Sequence, residues 1–368
     1  MAQLHALQDL MVEHREMGLQ AGSQLYVSRA GQTLVDLADG ELIEGRPIEP
    51  HHVLRLYEAG MPLLTVLVAG AVERGRLGLD DLVSQYLPDW GNGKEACTVR
   101  HLLTHMGGFA GAELGDRDVE HHEAIEQLCL HRGEHIPGTA AAFHSSPGWR
   151  VLQAVLEAAE RKPIHRLLSK NILRPTGLNG QLMFNLGSRQ IEKLSGQISP
   201  VHWCGYTAGG TAFHRETIHN TTWHMAKCDP GISAWGSAAA LGRFYEAINA
   251  RDGRILDSRN TIDLFTSVHR YGLRDRVIGA AVPWGLGFQV AGSFSGSFGH
   301  RVFGHDGISG RAFCDPADEL VGVYLTNGLT RRSEHERRMS EMTDLIHEAV
   351  LERSSSAWMT TGMAAVGI

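Results

Sequence analysis

Residues 54–77, Leu-Arg-Leu-Tyr-Glu-Ala-Gly-Met-Pro-Leu-Leu-Thr-Val-Leu-Val-Ala-Gly-Ala-Val-Glu-Arg-Gly-Arg-Leu, constrain the fold more than any other stretch. Apolar side chains at Leu63, Leu64, Val66, Leu67, Val68, Ala71 and Val72 leave almost no polar face. A helix of that kind belongs in the middle of a domain, not on its surface. Pro62 suits its first turn, where the missing N–H has no intrahelical acceptor to lose, and Gly75 marks its end. The residues before it read as a short entry strand. Glu58 therefore stands at the mouth of a buried helix, where two effects oppose each other. A partly dry cleft raises a carboxylate's pKa and suits it to general acid or base work, while a helix N-terminus favours the anion.

With 43% hydrophobic residues, a chain of 368 can bury one large core or two lobes sharing a site. The net charge of -7 and the absence of a basic run argue against nucleic-acid or membrane-surface partners. No apolar stretch reaches the roughly 18 residues that span a bilayer. Residues 1–10 lack the basic and apolar regions of a signal peptide, so a cytoplasmic chain is expected. Cys97, Cys129, Cys204, Cys228 and Cys314 are odd in number and widely spaced, which favours reduced thiols over a disulfide framework.

Along the chain, residues 4–17 carry apolar side chains near a helical period, and 22–30 with 33–37 predict a hairpin around Gly31-Gln32. Residues 118–172 are helical in pattern, interrupted at Pro137-Gly138 and Pro147-Gly148. No periodicity marks 185–228, which reads as an irregular loop that could lid a site. Strands and turns follow at 284–288, 303–307 and 321–327, then a helix at about 334–351 and a mobile tail at 353–368. Histidine is abundant, but among His202, Cys204, His214, His219, His224 and Cys228 only His224 and Cys228 are four apart. No His-Glu-x-x-His occurs either, so neither a metal nor a cofactor is expected. His101 and His105, also four apart, belong to a scaffold phrase described next.

Several phrases resemble the serine β-lactamase, penicillin-binding protein and esterase superfamily. Val72-Glu-Arg-Gly-Arg-Leu-Gly-Leu-Asp-Asp81 is similar to the close of that family's active-site helix, and Thr98-Val-Arg-His-Leu-Leu-Thr-His-Met-Gly-Gly108 to a long scaffold phrase. Phe143-His-Ser-Ser-Pro-Gly-Trp149, the helix at 151–159, residues 171–178 and 230–244, Trp284-Gly-Leu-Gly-Phe288 and Phe303-Gly-His-Asp-Gly307 follow in the family's order. The resemblance implies an α+β fold: an antiparallel sheet flanked by helices in an α/β sandwich lobe (about 1–57 and 230–352), with a mostly helical lobe inserted (about 58–229), all one domain over 1–352.

In that family a Ser-x-x-Lys motif opens the central helix, and a tyrosine helps to handle the serine's proton. Laid on without a gap, the serine falls on Glu58 and the lysine on Met61; anchored on Gly148-Trp149, the Tyr-x-Asn motif falls on His144 and Ser146, the preferred register, whereas anchoring on Pro137-Gly138 moves its tyrosine to Phe143. His305-Asp306-Gly307 keeps the family's His-x-Gly variant. No serine anywhere in the chain has lysine three positions later, and neither Tyr-x-Asn nor Gly-x-Ser-x-Gly occurs, so no shift of alignment restores the motifs. The resemblance then implies a Glu58/His144/His305 set able to transfer protons without a covalent intermediate. Tyr57, Met61, Ser146, Trp149, Asp306 and Gly307 would surround the substrate, with Met61 making the pocket less suited to anions. Two classes of function follow. One is an enzyme doing acid–base chemistry (cyclisation, elimination, isomerisation or hydrolysis) on a small carbonyl-containing molecule; the other is a catalytically inactive relative that binds a ligand. The absent Ser-x-x-Lys argues against an ordinary serine hydrolase.

Overall fold

The structure, a computed structural model, describes residues 2–112, 119–207, 210–291 and 300–363. Its centre is a seven-stranded antiparallel sheet of order β3-β2-β1-β7-β6-β5-β4. The strands are β1 (Gly22–Arg29), β2 (Gln32–Ile43), β3 (Arg46–Pro47), β4 (Gln289–Val290), β5 (Phe303–Gly307), β6 (Gly310–Asp315) and β7 (Leu320–Thr326). The predicted hairpin forms, with Ala30 and Gly31 both at positive φ, the geometry that a tight two-residue turn requires. Side chains alternate across β1 as a pleated strand demands. Leu25 and Val27 face helices α1 (Ala2–Glu16) and α5 (Arg332–Met363), together with Met11, Phe313, Met342 and Ile346, while Tyr26 joins the main core on the other side.

That main core holds α2 (Pro62–Glu73), α3 (Ser146–Glu160) and α4 (Ala238–Ala250). The apolar stretch behaves as its composition requires: residues 62–71 of α2 are all buried, and each fully buried Leu or Val contributes about 1.5–3 kcal/mol. Gly242 lets α4 press onto the sheet, since a Cβ there would lie 2.2 Å from the Tyr26 ring.

Three segments differ from expectation. Residues 185–228 contain an antiparallel pair, His202–Thr207 with Gly210–Arg215, which Gly328–Leu329 extends in parallel, and short helices Ser188–Lys193 and Thr222–Ala226. Gly205 and the polar side chains around it blur the alternation, and the parallel partner lies far along the chain, so local pattern could not show it. Residues 284–288 contribute an isolated bridge at Trp284, the strand itself being Gln289–Val290. Helix α5 runs on to Met363, past the end expected for it; the last part of the expected tail, 364–368, lies outside the described residues, as do 118 and 208–209. No helix among the described residues is long and apolar enough to cross a membrane.

Candidate active site

Glu58 is positioned by close main-chain packing. Leu54–Arg55 pairs with Trp235–Gly236, and a single 3-10 turn, Tyr57–Gly60, leads into α2. Tyr57 adopts φ +48, a left-handed conformation that costs a non-glycine residue roughly 1–2 kcal/mol and persists only where its surroundings enforce it. The turn is clamped on both sides. A Cβ on Gly60 would lie 2.4 Å from the Ala234 Cβ, and one on Gly307 would lie 2.7 Å from the Ala59 amide nitrogen. Trp149 Nε1–H donates to the Met61 carbonyl at 3.2 Å. The end of β5 thus lies directly against the backbone that carries Glu58.

Glu58 is 8% exposed as a residue, and its side-chain Oε2 accepts the backbone N–H of Ile308 at 3.1 Å. Burial pushes its pKa above the ordinary carboxylate value; the backbone amides of Glu58 and Ile308 and the Arg55 guanidinium pull the other way without cancelling it. Desolvation, one of the two effects expected from the sequence, is present and wins; the opposing pull comes from these amides and Arg55.

Glu58 lines a cavity of about 430 Å³. Phe143, Val277, Ile278, Ala280, Val282, Ile308 and Met339 supply apolar walls, and Asp306, Gly307, Gln289, Arg311, Arg332, His335 and Glu336 the rest. The charges there are already matched: Arg311 Nε and Nη2 donate to Asp306 at 2.5 and 2.9 Å, and Arg332 Nε to Glu336 at 2.7 Å. One wall hangs on a buried acid. Asp275 Oδ1 accepts the N–H groups of Phe143, Val277 and Ile278, each at 3.0 Å, and Oδ2 lies 3.2 Å from Arg270 Nη2, both side chains being fully buried.

The structure brings Glu58, Asp306 and Gly307 to this cavity. It sets His144 and His305 elsewhere, a correction to the expectation that all three proton-transfer candidates face one cleft. Both histidines are almost fully buried, in a cluster with His105, Phe143, Trp149 and Trp284. His105 Nδ1 and His144 Nδ1 lie 3.3 Å apart, and His144 stacks on Phe109. His305 Nδ1 is 2.6 Å from the Asp306 carbonyl, and the Nε2 atoms of all three rings have no hydrogen-bond partner among the described residues. Burial lowers His144 and His305 to about 4 and His105 well below its usual value, so these rings are neutral at physiological pH. The physical reason is the aromatic layer: Phe143, half-buried, lines the cavity and closes off the rings behind it.

The remaining candidates do not line the cavity either. Tyr57 is buried, its hydroxyl 2.7 Å from His219 Nδ1, which ties the 185–228 segment to the turn. Met61 and Trp149 are core residues. Ser146 Oγ donates to Asp229 Oδ2 at 2.5 Å, beside Arg150 Nε at 2.9 Å. Sequence reasoning missed Asp275 and Arg270, since Arg-Asp-Arg at 274–276 reads as solvated charge. It also missed Ile308, whose contribution is a main-chain amide and so has no side-chain signature. For metal ions, Asp315, Asp318 and His347 bring ligand atoms within 4.8 Å of one another, with His347 Nε2 at 3.9 Å from Asp318 Oδ2. None of the six His and Cys residues weighed from the sequence belongs to that group.

The antiparallel sheet between a helix pair and a helical lobe, with a site where the central helix meets a sheet edge, defines the β-lactamase and penicillin-binding-protein class of α+β fold. Solved structures agree. EstCE1, a hydrolase with promiscuous acyltransferase activity, superposes with TM-score 0.79 at 20% identity, covering 95% of this chain and 98% of that one. A penicillin-binding protein homolog from Caulobacter crescentus superposes with TM-score 0.78 at 20% identity, covering 94% and 97%. A family model described as Beta-lactamase matches residues 7–343, and the chain belongs to that family. Esterase EstB of Burkholderia gladioli is 27% identical over 202 residues, which is 48% of this chain and 50% of EstB; the match thus spans about half of that relative's length.

Proposed function

We propose that this chain is a β-lactamase-fold enzyme that works by non-covalent acid–base chemistry on a small, neutral carbonyl compound, with Glu58 as the proton-transfer group. The observation that carries this reading is a buried carboxylate with a raised pKa, held by a strained turn at the wall of a largely apolar cavity. In its acid form Glu58 donates to the substrate carbonyl oxygen. As the anion it takes a proton from an attacking water or an activated C–H. No hydroxyl or amine stands at positions 58 and 61, so the covalent route of the serine enzymes has no nucleophile or base there. His144 and His305 shape the floor behind Phe143 and do not carry the proton in this reading.

The charges of the cavity are matched in pairs, which favours a neutral ligand over an anion. A non-catalytic ligand-binding role is favoured by one observation: the Glu58 carboxylate already accepts backbone amides and needs no ligand to satisfy it. Esters, lactones and amides offered to the purified chain, with intact mass recorded during reaction, separate the readings. Turnover without a mass adduct supports the proposal. An acyl adduct contradicts it, and saturable binding without turnover gives the site to the second reading.

A further inference from the structure

The chain carries no run of basic residues, yet the fold makes a basic groove. Between Glu160 and Glu192 there is no Asp or Glu, and from Lys162 to Arg174 the basic residues Lys162, His165, Arg166, Lys170 and Arg174 lie within four positions of one another, interleaved with apolar ones. The segment folds as one continuous helical rod: Ile164–Leu168 is α-helical, Ser169–Leu173 a π-helical turn and Arg174–Thr176 α-helical again. Ile164, Leu167, Leu168, Ile172 and Leu173 are buried against the core. The opposite face presents His165, Arg166, Lys170 and Arg174, and Lys162 stands just ahead of the rod, all exposed. Four residues of α-helix overshoot a full turn by about 40°. The wider π turn offsets that drift and keeps Lys170 and Arg174 on the face begun by Arg166.

Together with Ser169 these side chains line a groove of about 500 Å³. Among the described residues none of the four Lys and Arg has an ion-pair partner, and the nearest acid upstream, Glu160, is engaged by Arg74 at 2.7 Å. Elsewhere on this surface Arg and acid are commonly paired, as in Arg100 with Asp80, Arg254 with Asp252 and Arg332 with Glu336. A solvated helix face would be expected to mix its charges, because like charges at i,i+4 oppose one another. Here Arg166, Lys170 and Arg174 follow at four-residue spacing on the rod, with Lys162 four positions ahead of them, in a chain whose net charge is -7.

We infer that this groove is a binding site for a multiply charged oxyanion of the phosphate class, independent of the Glu58 cavity. Guanidinium groups suit it because their planar donor pairs match phosphate oxygens, and Ser169 adds a hydroxyl at the π turn. The phosphate could be carried by a soluble molecule or by a lipid headgroup; the groove chemistry is the same, and experiment separates the two.

The test uses the full chain. Isothermal titration with sodium tripolyphosphate, and co-sedimentation with phosphatidylcholine vesicles containing phosphatidic acid, are each run on wild type and on an Arg166→Glu/Lys170→Glu double variant. Arg189→Glu, an exposed residue outside the groove, serves as the charge control, and thermal melting verifies folding. Binding to either probe that weakens with added salt and falls about tenfold or more in the double variant, but about twofold or less in Arg189→Glu, supports the site. Binding to tripolyphosphate assigns a soluble ligand, and binding to vesicles alone assigns a headgroup. No binding to either probe overturns the proposal, as does a loss in the double variant no larger than in the control.

Discussion

The Glu58 carboxylate accepts the backbone N–H of Ile308 at 3.1 Å. This single contact joins the mouth of the buried helix to the turn between β5 and β6, and places the one strongly desolvated acid of the cavity beside its outer wall. The close approach of Gly307 makes it possible, because a side chain there would separate the two backbones.

Gly307→Ala should therefore act on both packing and site. A Cβ 2.7 Å from the Ala59 nitrogen and 3.1 Å from the Glu58 nitrogen meets backbone that has no flexible end to move aside. The expected cost is about 1–3 kcal/mol of stability, as for other overpacked positions, with ligand binding at the cavity weakened as well. Chemical denaturation reads the first effect. An unchanged midpoint would mean that the strand and the turn are not held as tightly as described.

Asp275 anchors the outer wall and neutralises Arg270. Asp275→Ala leaves a buried guanidinium unpaired, which is expected to cost about 3–5 kcal/mol. Because Phe143, Val277 and Ile278 lose their common acceptor, the wall should also loosen. Hydrogen exchange at those three amides should accelerate more than at α2; a uniform change would contradict the anchoring role.

The buried histidines predict acid sensitivity. Each has an ordinary pKa of 6.5, and burial lowers His144 and His305 to about 4. Between those values the unfolded chain binds protons that the folded chain refuses. Their contribution is thus fully present above pH 6.5 and is lost as pH falls toward 4, by about 3 kcal/mol for each ring. Melting temperature should drop over that window, and His305→Gln should flatten the slope. A slope that the variant leaves unchanged would assign the acid sensitivity to other groups.

Glu58 has the opposite sign. Its folded pKa lies above the unfolded one, so the burden of ionising a buried carboxyl grows as pH rises through the folded value. Glu58→Gln keeps an oxygen for the Ile308 N–H and removes that burden. The variant should melt higher than wild type near and above neutral pH, with the gap closing in acid. Equal melting at all pH values would mean that the carboxyl is better solvated than its position indicates.

Much of this architecture was legible in the chain. The run from Leu63 to Val72 could only be a core helix, and the Gly31 hairpin and the strands around Phe303 and Val321 carried local signals of period and turn. The hairpin at 202–215 did not, because its glycine and polar side chains obscure alternation and one partner strand is distant. Within the site, Glu58 stood out because the family's serine position falls on it, at the mouth of the buried helix. His144 and His305 were drawn to the same cleft by motif position alone, but whether a ring points into a cavity depends on neighbours such as Phe143 and Trp284, which no spacing records. Asp275 was invisible for a related reason: a charged residue between two arginines looks solvated until the fold buries it.

The most direct test of the functional reading is the rate at which wild type and Glu58→Gln turn over a neutral ester, lactone or amide found to be a substrate. General acid–base catalysis typically contributes about 10²–10⁴-fold. Measurable wild-type turnover that falls at least about a hundredfold in Glu58→Gln, with substrate binding retained, is the predicted result. Equal rates in the two proteins, or no wild-type turnover of any such compound, would contradict it.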